Sequence, residues 1–146
     1  AAASGDPAYA TATFVTGGAN TEAQGNFALF SDWTGAIDLT LKWNSLSAAS
    51  GDVVCQVQFG CTATGEVPTS ISFNNTVFTA TANQTSPTAA FNVSTKTGIT
   101  TTGCAAGEQA FFIIHRDTDT SGDTLDQAVE LLSVDFVYRR TITIGG

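Results

Sequence analysis

Gly35-Ala36-Ile37-Asp38-Leu39-Thr40-Leu41-Lys42-Trp43 and Val53-Val54-Cys55-Gln56-Val57-Gln58-Phe59-Gly60-Cys61 decide the fold. In both segments the odd positions are apolar, and in the first the even positions are mostly polar. A strand turns successive side chains to opposite faces, so each segment has one dry face and one wet face. An antiparallel sheet packed on one side only reads this way. Ile37, Leu39, Leu41 and Trp43 are therefore expected to face the same core as Val53, Val57 and Phe59.

Working outward, residues 44–52 read as a loop with Ser50-Gly51-Asp52 as its turn, and Gly65-Glu66-Val67-Pro68 ends the second strand. Residues 71–82, 88–94 and 99–102 are Thr- and Phe-bearing strand candidates. Residues 110–116 are apolar on both faces, as in a central strand. An acidic loop follows over 117–126. Residues 128–144 form a long closing strand with Leu132, Val134, Phe136 and Tyr138 on one face. Upstream, 26–30 is a short apolar segment before the loop Ser31-Asp32-Trp33-Thr34. Residues 1–25, rich in Ala, Gly, Thr and Ser, read as an N-terminal arm. Its one strand, around Tyr9 to Val15, is expected to pair with a neighbouring subunit rather than its own sheet. The expected organisation is thus an arm (1–25) and a β-sandwich domain (26–146). About eight strands at this spacing predict an all-β, two-sheet antiparallel sandwich of jelly-roll type.

The 146 residues suffice for one domain of ordinary size. Charged residues are only 12%, about half the usual share, so Thr, Ser, Asn, Gln and Gly must cover the surface. Such a surface suits a virion or extracellular protein. The net charge of −8, with five Lys and Arg in all, argues against nucleic acid, whose phosphates need clustered cations. It argues equally against an anionic membrane surface. No apolar run approaches the roughly 18–20 residues that span a bilayer, so membrane insertion is not expected. The chain begins Ala1-Ala2-Ala3-Ser4-Gly5 without Met or a basic, then apolar, leader. Removal of an initiator Met and cleavage of a signal peptide fit equally.

Three cysteines leave at least one thiol free. Cys55 and Cys61 lie on one strand about 20 Å apart and cannot bond to each other. Cys104, in the turn Thr102-Gly103-Cys104-Ala105-Ala106-Gly107, could meet Cys61 at the far end of that strand. The alternative is three buried thiols acting as small hydrophobes.

Few residues offer chemistry. His115-Arg116-Asp117 has the letters of a kinase catalytic loop, but the phosphate loop and the strand Lys are missing. The lone His115 reads as a hydrogen-bonded sheet residue. Asp117, Asp119, Ser121 and Asp123 alternate around Gly122, which suits a Ca²⁺ loop. Yet position twelve of that loop is Ala128, not Glu, and a solvated acidic turn accounts for the same residues. The triplets Asn74-Asn75-Thr76, Asn83-Gln84-Thr85 and Asn92-Val93-Ser94 match the glycosylation pattern, which bears on a secreted eukaryotic protein alone. Trp33, beside a loop, and Tyr9 are candidates to stack on a sugar ring, whereas Trp43 belongs to the core. No nucleophile has a visible base, so an enzyme is not expected and no cofactor is implied beyond that Ca²⁺.

Trp33-Thr34-Gly35, Leu39-Thr40-Leu41-Lys42-Trp43, Gly51-Asp52-Val53-Val54, Thr102-Gly103-Cys104-Ala105-Ala106-Gly107-Glu108, Arg116-Asp117 with Asp123-Thr124-Leu125, and Leu131-Leu132-Ser133-Val134-Asp135-Phe136 follow one another in a familiar order. In that order the chain resembles small β-sandwich modules of tailed-phage virion proteins, the tail-fibre or receptor-binding heads and capsid decoration proteins, over roughly residues 28–140. The resemblance implies a trimeric, non-enzymatic structural role and transfers no residue role. The expectation is thus a virion or surface assembly protein, partnered by its own copies (a homotrimer), by other virion or surface proteins, and by a host-surface glycan. The alternatives are a carbohydrate-binding module of a secreted enzyme and an extracellular pilus or adhesin subunit.

Overall fold

Among the described residues there are eight strands: β1 (Ala12–Phe14), β2 (Glu22–Ala28), β3 (Trp33–Ser45), β4 (Gly51–Thr62), β5 (Asn74–Ala82), β6 (Phe91–Ile99), β7 (Gln109–Arg116) and β8 (Val129–Arg140). The structure is a computed structural model that describes residues 12–14, 22–45, 50–82 and 91–140. The strands form two four-stranded sheets, β1-β8-β3-β6 and β2-β7-β4-β5, and β1 contributes only three residues to the first. Every pairing is antiparallel. The first strand pairs with the last, the second with the seventh, the third with the sixth and the fourth with the fifth. A long hairpin of four such pairs, wound on itself into two sheets, is a jelly roll.

The wrap places β3 and β4 at the interior of opposite sheets, facing each other. Ile37, Leu39, Leu41 and Trp43 of β3 share one core cluster with Val53, Val57 and Phe59 of β4, as the alternation predicts. The intervening side chains of β3, Asp38, Thr40, Lys42 and Asn44, are half-buried on the outer face. Trp43 donates its Nε1–H to Ser94 Oγ at 3.0 Å, which satisfies its one polar atom inside the core. One end of the core is aromatic. Phe136 packs at 5.1 Å from Phe27, 5.6 Å from Phe59 and 4.8 Å from Phe112, between ring centres. Val54 points outward yet is buried, because the 117–123 segment lies across it: Asp117 N–H donates to Val54 O.

Several elements differ from the sequence reading. β1 pairs with β8 of its own chain, so it completes a sheet rather than reaching for a neighbour. β2 begins at Glu22, inside the stretch read as an arm, and pairs along β7 from His115 to Gln109. Its inward positions include only Ala23 and Gly25 before Phe27, too little apolar mass to signal a strand. Residues 100–102 form no strand; Ile99 instead ends β6. β8 holds a bulge: Lys42 is opposite Ser133, but Trp43 is opposite Leu131. The extra residue shifts the face, so Val129 and Leu131 are buried on one side of Leu132, and Val134, Phe136 and Tyr138 pack on the core beyond it. Leu132 therefore does not share their row.

Leu41→Ala is expected to cost about 2–5 kcal/mol, through lost transfer energy and the cavity left behind. Thr40→Ala, on the wet face, is expected to cost less than about 1 kcal/mol. Denaturant unfolding of both variants checks this, and equal losses would mean that both faces of β3 are buried.

Candidate functional site

The acidic loop after β7 is built around a buried cation. Even positions of β7 face the core, so Arg116 ends the row Ala110, Phe112, Ile114 with its guanidinium inside and only 2% exposed. Its Nε–H donates to Asp123 Oδ2 at 2.8 Å, and a second nitrogen donates to Asp123 Oδ1. Two further N–H groups reach Gln127 O at 2.6 Å and Leu125 O. Asp123 Oδ2 also accepts Val54 N–H at 3.0 Å. Thr124 and Leu125 donate their N–H groups to Asp52 O, and Asp52 N–H donates to Thr124 Oγ1. The loop thus seals one end of the sandwich and drives Leu125 into the core, 1% exposed. Gly51 permits this approach. Its φ is +146°, and a Cβ there would stand 2.9 Å from the backbone of Thr124 and Leu125.

This geometry reassigns the Ca²⁺ candidates. Asp123 is committed to Arg116, and Asp117 accepts Gln56 Nε2–H at 2.9 Å and Thr120 Oγ1–H at 2.8 Å. The Thr120 bond, seconded by Gln56, holds the Asp117 carboxyl below its usual pKa. Asp119 and Ser121 are exposed. Among the described residues no cluster of three or more His, Cys, Asp or Glu side chains is placed to hold a metal. The letters His115-Arg116-Asp117 likewise separate: Arg116 points inward, and His115 lies on the outer face opposite Glu22 and Gln56. His115 Nδ1 is covered and without a hydrogen-bond partner.

Trp33 opens β3 and is half-buried, packed against the core cluster, with Nε1 covered and unpartnered. Its ring is half-buried against the core rather than fully exposed, and the turn before it is closed by Trp33 N–H donating to Phe30 O. The exposed ring at this end is Phe30, 47% exposed, with the Arg140 guanidinium 3.9 Å from its centre. Arg140 also bonds Asp32 at 2.8 Å and so holds the Asp32 carboxyl below its usual range. Tyr9 and the Asn83-Gln84-Thr85 triplet lie outside the described residues. Of the other two triplets, Asn74 is tied through Nδ2 to Phe59 O and Thr102 O, and Asn92 is buried.

Cys61 and Cys104 are bonded, with 5.2 Å between their Cα atoms, and fasten the 101–107 turn to the end of β4. Cys55 is the free thiol. Burial first, then the Asp123 charge, pushes it up to about 12, which keeps it protonated and inert.

Two surface features were not read from sequence. Strands β5 and β6 are the outer strands on one flank, one from each sheet. β5 (Asn74-Asn75-Thr76-Val77-Phe78-Thr79-Ala80-Thr81-Ala82) carries no charge, no Pro and no bulge in its register with β4. Phe91 and Val93 project from β6 at 60% and 56% exposure. The second feature is a trough of about 500 Å³ on the outer face of the β2-β7-β4-β5 sheet, lined by Phe111, Ile113, Phe73, Gln24 and Asn26 among others. Both depend on which strands become neighbours or edges, and no local motif encodes that.

Asp123→Ala is expected to destabilise the fold by about 3–5 kcal/mol, because it leaves the Arg116 charge buried and unpaired. Denaturant unfolding measures it, and a loss under about 1 kcal/mol would return the loop to the status of a solvated turn. Millimolar Ca²⁺ is expected to leave the melting temperature unchanged, since a ligand that binds only the folded state would raise it. A rise abolished by Asp119→Ala would show that the loop binds the ion after all.

In comparison with known proteins, no family model matches the chain, and neither a curated protein nor a solved structure does.

Proposed function

We propose that the protein is a non-enzymatic structural subunit of a virion or extracellular surface assembly that associates with its own copies, as a homotrimer. The observation that carries this reading is the undefended edge of β5. An outer strand presents unpaired backbone N–H and C=O groups, and monomeric proteins blunt such edges with charge, Pro or a bulge. β6 has Lys96 and a bulge near Asp38, where Gly98 N–H bonds the Asp38 carboxylate. β5 has none of these devices. Phe91 and Val93, on the outer face of β6 opposite Asn44 and Lys42, supply apolar area of the kind buried between subunits. The jelly roll supports the same reading, because it is a fold of virus shells, although lectin domains share it. β1 completes its own sheet, so the case for association rests on the β5–β6 flank and not on the N-terminal strand.

Light scattering with size exclusion tests this. The expected mass is about three times the 15.0 kDa of the chain, falling to a single chain in Phe91→Lys/Val93→Lys. Both side chains are exposed, so the melting temperature of the separated chains should stay close to the parent's. A parent protein that is monomeric at every concentration would sink the proposal.

A further inference from the structure

The trough on the outer face of the second sheet has the chemistry of a ligand site. Its floor is Phe111 and Ile113, the outward residues of β7. In register, Phe111 lies between Asn26 of β2 and Gly60 of β4, and Ile113 lies between Gln24 and Gln58. One wall is Phe73, 41% exposed. Its position follows from Gly60: a Cβ there would meet Ile71 Cγ2 at 2.5 Å and Ser72 O at 2.8 Å, so only glycine lets the 71–73 segment lie flat on the sheet. The disulfide-tethered turn steadies that segment through Asn74 Nδ2–H to Thr102 O at 2.7 Å. Gln109 donates to Asn26 Oδ1 at 3.1 Å. That bond orients the Asn26 amide and leaves its NH₂ as a donor.

We propose that this trough binds a neutral glycan. Two aromatic rings and an aliphatic side chain suit the C–H face of a pyranose. The amides of Gln24 and Asn26 line one side of that strip, with Gln58 of β4 in register beside Ile113 on the other, and offer the paired donors and acceptors that vicinal hydroxyls require. No charged side chain lines the trough, which selects against acidic sugars and phosphates. Its volume of about 500 Å³ falls in the range of small-ligand clefts and accommodates one or two sugar rings. The site goes beyond the assembly reading and lies on a different face from Phe91 and Val93.

The test is an NMR titration of the intact protein with cellotetraose, maltotetraose and laminaritetraose, with sialyllactose as the charged comparison and a Pro-rich peptide as the rival occupant. At least one neutral tetrasaccharide is expected to shift the amides of Gln24, Asn26, Phe73 and Phe111, with a Kd of about 1 mM or below. Asn26→Ala and Phe73→Ala, both surface changes, should each weaken binding by about tenfold while the melting temperature holds. Phe91→Lys/Val93→Lys should bind as the parent does, whatever its mass, so this test stands apart from that of association. Shifts at the trough by the peptide but by no saccharide, or by none of the probes, would overturn the proposal, as would saccharide binding untouched by Asn26→Ala and Phe73→Ala.

Discussion

Burial of one face of β3 against one face of β4 is the constraint on which the molecule depends. The two strands are consecutive in sequence but lie in opposite sheets, each with neighbours on both sides. Their inward rows, from Ile37 to Trp43 and from Val53 to Phe59, are almost wholly removed from water. Each such side chain contributes roughly 1.5–3 kcal/mol of transfer energy. A slip of one residue in either strand would exchange this row for Asp38, Thr40, Lys42 and Gln56, so the burial also enforces the register. β8 and β6 then dress β3, β7 and β5 dress β4, and the outermost pairings close the wrap.

A sandwich closed along its length is still open at its ends. At one end the polar solution is Arg116, whose charge is buried only because Asp123 and the carbonyls of Leu125 and Gln127 surround it. An isolated buried cation would be costly, and these acceptors offset that cost while tying the loop to the end of β7. That loop in turn covers Val54 and supplies Leu125 to the core. The other end is held covalently by Cys61–Cys104 and by aromatic packing around Phe136. Closing the 43-residue separation removes conformational freedom from the unfolded chain, on the order of 4 kcal/mol in the loop-entropy model.

The surfaces left over are of two kinds. The β5–β6 flank exposes apolar side chains on β6 and an uncharged edge on β5, features suited to contact with another protein chain. The outer face of the β2-β7-β4-β5 sheet offers a narrow strip of rings beside amides, features suited to a small hydroxylated ligand. An acidic chain of this kind repels its own copies, so the association proposed above would rest on local apolar contact and strand pairing rather than on charge attraction.

The strands and their inward faces were legible in the sequence where the alternation was strong, in β3 and β4, because a period of two depends only on neighbouring residues and water, and β7 was legible as a central strand from its continuous apolar run. Legible too were the sandwich, the place of Trp43 in the core and Cys61–Cys104 as the pair to consider. β2 escaped notice because its inward side chains are small, and the face of β8 was misread because a bulge at Leu132 shifts the period, an event set by its partner strand rather than by its own letters. The role of Arg116 and Asp123 was hidden for a related reason. Seven residues apart around an acidic turn, they resemble solvated charges or metal ligands until β7 turns the arginine inward. Trp33 seemed an exposed ring, and only the fold packs it, half-buried, against the core. The sequence by itself determined which faces must be dry. Only the tertiary structure decided which strands became edges, which charge was buried with its partner, and which rings and amides were assembled into one trough, because each of these depends on contacts between residues far apart along the chain.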